Sequence, residues 1–130
     1  MKIKIIFISI LSIAAINLTS CQQGSNDINI TAEEFLSLSD TTNTMILDVR
    51  TSSEYESGHL ENALLMDIYA TDFVEKMNKL NKNKTYYVYC RSGGRSKSAV
   101  FMMRKEGIPN AYNIRGGIIQ LTRYGARLAK

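Results

Sequence analysis

A chain of 130 residues, 45% hydrophobic and 22% charged, has room for a short leader and one small domain, and too little length for a second core. Its 16 basic and 12 acidic residues give a net charge of +4 without the clustered basic stripe of a nucleic-acid binder, so no nucleic-acid partner is expected.

The chain opens with Lys2 and Lys4, an apolar run from Ile5 to Ile16, and small residues leading to Cys21. This is the layout of a secretory signal. The run contains Ser9 and Ser12 and is far shorter than the ~20 apolar residues that cross a hydrocarbon core, so a transmembrane helix is not expected. Leu18-Thr19-Ser20-Cys21 resembles a bacterial lipobox, in which cleavage precedes a cysteine that receives acyl chains. The reading is therefore a lipoprotein signal peptide over 1–20, a lipidated Cys21 with a polar tether over 21–27, and a domain over 28–130. Such a protein is exported and held at the bacterial cell envelope through Cys21, anchored to the membrane without spanning it. Gln22 after Cys21 is compatible with sorting to an outer membrane in an organism that has one. Removing the first 20 of 130 residues takes away Lys2 and Lys4, and the net charge falls from +4 to +2.

Within the domain, Thr31-Ala32-Glu33-Glu34 fits a capping box and opens a helix using Phe35, Leu36 and Leu38. Met45 to Val49 is a near-continuous apolar run, suited to a strand buried on both faces. Thr51-Ser52-Ser53-Glu54 repeats the capping box, and Gly58 stands where that helix would stop. Ala63 to Met66 is a short strand, and Phe73, Met77 and Leu80 mark the apolar stripe of a helix. Thr85 to Tyr89, β-branched and aromatic, makes a strand that ends directly at Cys90. A helix is expected over Ser96–Glu106, stopped by Gly107 and Pro109. It is followed by a strand over Ala111–Ile114, a turn at Gly116-Gly117 and a closing helix over Ile118–Tyr124. Strands alternating with helices predict an α/β fold with a mainly parallel central sheet covered on both faces.

In such sheets ligands gather at the carboxyl ends of the strands, where Cys90 lies. With Cys21 lipidated, Cys90 is the one remaining thiol and cannot form an internal disulfide. An unpaired cysteine in an oxidising compartment points to a chemical role. One free cysteine and the single histidine, His59, do not make a metal-ligand set, and no metal is expected. The segment Cys90-Arg91-Ser92-Gly93-Gly94-Arg95-Ser96 connects a strand to a helix. Its glycines let the backbone curl into a nest of inward N–H groups that suits an anion, including a thiolate. The nest, the helix N-terminus and the charges of Arg91 and Arg95 all favour S⁻ over SH, which predicts a pKa below the ordinary ~8.5. A thiolate already formed needs no general base. His59, between Gly58 and Leu60 at a turn, reads as a local hydrogen-bonding residue.

Four motifs in order carry a family resemblance. They are Leu47-Asp48-Val49-Arg50; Tyr55 with Gly58-His59-Leu60 and Asn62-Ala63; Tyr89-Cys90-Arg91-Ser92-Gly93-Gly94-Arg95-Ser96; and Tyr112-Asn113-Ile114 with Gly116-Gly117-Ile118. Together they resemble the signatures of single-domain rhodanese-like proteins over Ile28 to about Gly125. The resemblance implies the rhodanese fold and a two-step sulfur transfer without a cofactor. Cys90 takes sulfane sulfur from a small anionic donor such as thiosulfate, becomes a persulfide, and passes the sulfur to a thiol or cyanide. Arg91 and Arg95 would attract the donor, Arg95 through a forked contact. Asp48, Arg50, Gly116 and Gly117 would support the site. Asp48 would accept backbone donors near the active loop, Arg50 would pair with a carboxylate, and the glycines would allow close backbone approach. The chain departs from many members in having no tryptophan after the paired glycines, where Leu121 stands. A monomer is expected.

The related cysteine phosphatases have a loop one residue longer, with arginine six positions after the cysteine, where this chain has Ser96; the shorter loop fits sulfur better than a phosphoryl group. A non-catalytic binding module would commonly lack the cysteine. A redox partner for exported disulfide proteins would use the same thiol.

Overall fold

The structure is a computed structural model and describes residues 27–130. Cys21, the leader and most of the tether lie outside the described residues. The elements in chain order are β1 (Asn29–Thr31), α1 (Ala32–Leu36), β2 (Thr44–Asp48), α2 (Ser52–Glu56), β3 (His59–Leu60), β4 (Ala63–Leu65), α3 (Phe73–Asn78), β5 (Thr85–Tyr89), α4 (Gly94–Lys105), β6 (Ala111–Arg115), α5 (Gly117–Arg123) and β7 (Leu128–Ala129). Five strands form one parallel sheet in the order β1-β6-β5-β2-β4, and β3 pairs antiparallel with β7 in a separate small sheet.

The alternation of side chains along each strand divides the core into two layers. On one face Leu47, Tyr86, Val88, Cys90 and Ala111 pack against Phe73 and Met77 of α3 and Ala99, Val100 and Met103 of α4. On the other, Tyr89 and Ile114 meet Ala32 and Leu121, with Phe35, Tyr55 and Ile118 packed against them from α1, α2 and α5. Leu47, Tyr86, Val88, Val100 and Leu121 are fully buried. Each such side chain contributes about 1.5–3 kcal/mol relative to exposure. The parallel sheet covered on both faces is the architecture expected from the sequence.

Both capping boxes are present. The Thr31 hydroxyl accepts from Glu34 N–H at 3.1 Å while Glu34 Oε2 accepts from Thr31 N–H at 2.8 Å, and Thr51 and Glu54 repeat the exchange at 3.3 and 3.1 Å. The elements differ from the expected ones chiefly at α1, at α4 and in the shortest strands. Helix α1 stops before Leu38 and leaves Leu36 40% exposed. Helix α4 begins at Gly94, two residues early, because Gly93 takes a left-handed φ of 101° and turns the chain directly into the helix. Strands β1, β3 and β7 carry no apolar run; their two or three residues are strands only by virtue of their partners.

Candidate active site

The site is built where β5 ends and α4 begins, in the middle of the sheet. Val49 N–H donates to Tyr89 O at 3.0 Å, which ties the end of β2 to the residue before Cys90. The chain then turns through Cys90–Gly93 so that Gly93 N–H points back at Cys90 Sγ, 3.1 Å away. Ser96, in the first turn of α4, brings its hydroxyl to 3.3 Å from the same sulfur. Burial of Cys90 pushes its pKa up. Hydrogen bonds from the Ser96 hydroxyl and from the N–H groups of Ser96, Gly93 and Ser92 outweigh it, and the net shift is downward. The anionic form of the sulfur is thus favoured chiefly by backbone dipoles and one hydroxyl.

Helix α5 closes the loop from behind. Ile118 N–H donates to Cys90 O at 2.9 Å and Ile119 N–H to Arg91 O at 3.3 Å, so N–H groups left free at the helix start are satisfied by the carbonyls of the reactive loop. Gly117 (φ 54°) is the point of contact: a Cβ there would press on Cys90 O and stand 2.7 Å from the Arg91 carbonyl. Gly93 meets the same turn, since a Cβ on it would stand 3.0 Å from Gly116 N. A Cβ on Gly116 itself (φ 79°) would collide with Gln120 of its own helix.

Arg95 does not hold its fork open toward the loop, which corrects the sequence reading. Its Nη1 and Nη2 donate to Glu54 Oε2 and Oε1 at 2.8 and 2.7 Å, and its guanidinium lies 5.9 Å from the ring centre of Tyr69. The pairing is favoured because Glu54 already faces the loop from its capping position on α2. The Arg95 fork, with help from Thr51, holds the Glu54 carboxyl down at about 2. Arg91 is exposed and enters no ion pair among the described residues. Ser92 and Gly94 are also exposed, Gly93 and Ser96 buried.

Asp48 and Arg50 lie behind the site. The carboxylate of Asp48 accepts a backbone donor, the N–H of Arg50 at 3.0 Å, and the carboxylate that Arg50 pairs with is that of Asp48 itself, with Nη2 to Oδ2 at 2.6 Å. Arg50 Nη2 also donates to Gly58 O at 2.8 Å, and its guanidinium lies 5.6 Å from the Tyr89 ring centre. This buried pair ties the end of β2 to the turn after α2. His59 Nδ1 donates to Tyr55 O at 3.0 Å and its ring stacks on Tyr55, centroids 3.6 Å apart. Leu121, on α5, is fully buried in the core. Among the described residues no group of His, Cys, Asp or Glu is placed to hold a metal.

The sequence reading missed two participants. Glu54 was seen only as a cap, because nothing local signals a partner 41 positions away. Asn113 was seen only as part of a motif, yet its amide Oδ1 accepts from Ser96 Oγ at 2.6 Å. A polar residue on the Ala111 face of an otherwise buried strand was the available sign.

A cysteine at a strand end, its sulfur met by donors at the start of a helix, defines a protein of the parallel α/β class with an anion-favouring loop. Residues 31–123 match the family described as Rhodanese-like domain, and the chain belongs to that family. It is 33% identical over 88 residues to a sulfurtransferase of Allochromatium vinosum, covering 68% of this chain and 80% of that protein. It is 35% identical over 96 residues to a tRNA uridine(34) hydroxylase of Photorhabdus laumondii, of which it spans only 27%. Among solved structures it resembles a rhodanese-related protein from Thermoplasma volcanium (TM-score 0.69, 28% identity, 78% of this chain and 96% of that one). It also resembles a rhodanese-like domain protein from Staphylococcus aureus (TM-score 0.65, 32% identity, 78% and 98%).

Proposed function

We propose that this protein is a sulfurtransferase that carries sulfane sulfur on Cys90. The observation that supports this most is the cage of Gly93 N–H and Ser96 hydroxyl on a thiol whose pKa is lowered, in a family with a sulfurtransferase among its members. With thiosulfate as donor, the Cys90 thiolate attacks the outer sulfur. The Sγ–S bond forms, the sulfur–sulfur bond of thiosulfate breaks, and sulfite leaves with the electron pair. Cyanide or a thiolate then attacks the outer sulfur of the persulfide and the electron pair returns to Sγ. The two steps balance without an added oxidant, a cofactor or a base. The Gly93 N–H already points at the sulfur and stabilises negative charge there without reorganising. Exposed Arg91 supplies the approach with positive charge, while Arg95 acts on loop shape through Glu54. The leader over 1–20 and the lipobox-like Leu18-Thr19-Ser20-Cys21 support placing this activity at the bacterial cell envelope as a lipoprotein.

The domain from Gln22 onward, mixed with thiosulfate and cyanide, is expected to release thiocyanate, and Cys90→Ser is expected to release none above background. Turnover that survives Cys90→Ser would refute the mechanism. No turnover by a folded wild-type domain would exclude thiosulfate and cyanide as its substrates and move weight to a binding or redox role.

A further inference from the structure

The Ser96 hydroxyl has one proton and two acceptors. Cys90 Sγ lies at 3.3 Å and Asn113 Oδ1 at 2.6 Å, the latter within the range of a strong O–H···O bond. The orientation of the Asn113 amide is set from its other side, where Nδ2 donates to Asn29 Oδ1 at 2.9 Å, so that Oδ1 faces Ser96. Asn29 is fixed in turn, its amide and backbone N–H both reaching Asp27 Oδ1 at 3.0 and 2.9 Å. The parallel register of β1 on β6 places Asn29 beside Asn113. A buried amide (2% exposed) in the face that otherwise packs Ala111 and Cys90 against α4 costs stability unless each polar atom is satisfied, and here the side-chain network satisfies them.

We infer that Asn113 is a positioning residue that tunes the basicity of Cys90 by competing for the Ser96 proton. When Cys90 is a thiolate, the Ser96 O–H donates its hydrogen bond to the sulfur. When the negative charge has moved to the outer sulfur of a persulfide, Ser96 turns the proton to Asn113 Oδ1. The competition keeps the thiol from becoming too acidic, and the thiolate of a less acidic thiol is the stronger nucleophile. This inference rests on Cys90 being the nucleophile of the proposed transfer, but thiol ionisation is read without turnover, so the two ideas fail separately.

The test is the pH profile of Cys90 ionisation, followed by thiolate absorbance and by alkylation rate, in wild type, Asn113→Leu, Ser96→Ala and the double variant. Asn113→Leu leaves sulfur as the sole acceptor for Ser96, and the inflection is expected to fall by about one pH unit, a tenfold change in the ionisation constant. Ser96→Ala is expected to raise it, and the double variant to match Ser96→Ala alone, because the effect of Asn113 passes through Ser96. Should Asn113→Leu not fold, Asn29→Ala, at a half-buried position, frees the amide to rotate and is expected to lower the inflection by a smaller amount. An unchanged or raised inflection in the folded Asn113 or Asn29 variant, or an Asn113→Leu shift of the same size when Ser96 is absent, would overturn the inference.

Discussion

Arg50→Ala is expected to lower the unfolding free energy by about 3–5 kcal/mol, the cost of leaving one partner of a buried ion pair uncompensated. The Asp48 carboxylate is fully buried and its charge is balanced by Arg50 through contacts of 2.6–3.0 Å. The same guanidinium bonds Gly58 O, so the substitution also releases the turn between α2 and β3. Domains of this size have stabilities of about 5–15 kcal/mol, and the loss is a large share of that. Urea titration of wild type and variant measures it as a fall in the midpoint at similar slope. A loss under about 1 kcal/mol would mean that Asp48 finds another partner. Asp48→Asn together with Arg50→Met removes both charges and is expected to recover a substantial part of the loss.

Gly117→Ala is expected to be worse for activity than for folding. At φ 54° an alanine is strained by about 1–3 kcal/mol, and its methyl would meet backbone atoms of Cys90 and Arg91 that no rotamer change can move aside. The loop must shift, and with it the donors at Gly93 and Ser96 that meet the sulfur at 3.1 and 3.3 Å. A displacement of reacting groups by about 1 Å is enough to cost on the order of 10²-fold in rate. Sulfur-transfer rate, Cys90 ionisation and thermal midpoint, taken together, separate these effects. A variant that keeps the wild-type rate and inflection would show that α5 is not what holds the reactive loop in register.

The main frame was legible in the sequence because its signals are local. Two capping boxes, an apolar run at Met45–Val49 and an aromatic strand running into Cys90 each declare themselves within a few residues. Strands β1, β3 and β7 were not legible, since Asn29–Thr31, His59–Leu60 and Leu128–Ala129 gain their conformation from neighbours distant in sequence. The same distinction runs through the site. Glycine spacing forecasts a curled loop after Cys90, and the loop does curl around the sulfur. The destination of the Arg95 fork depends on Glu54 of α2 coming within reach of the first turn of α4, and that of the Ser96 proton on β6 lying beside β5, facts of tertiary arrangement that no short pattern carries.

The most direct test of Cys90 as a sulfur carrier is the mass of the intact domain after incubation with thiosulfate and removal of excess donor, with no acceptor present. The account predicts a gain of one sulfur atom, mapped to the peptide containing Cys90, reversed by cyanide and missing in Cys90→Ser. A folded wild-type domain that gains no sulfur from thiosulfate, or one that carries it on a group other than Cys90, would contradict it.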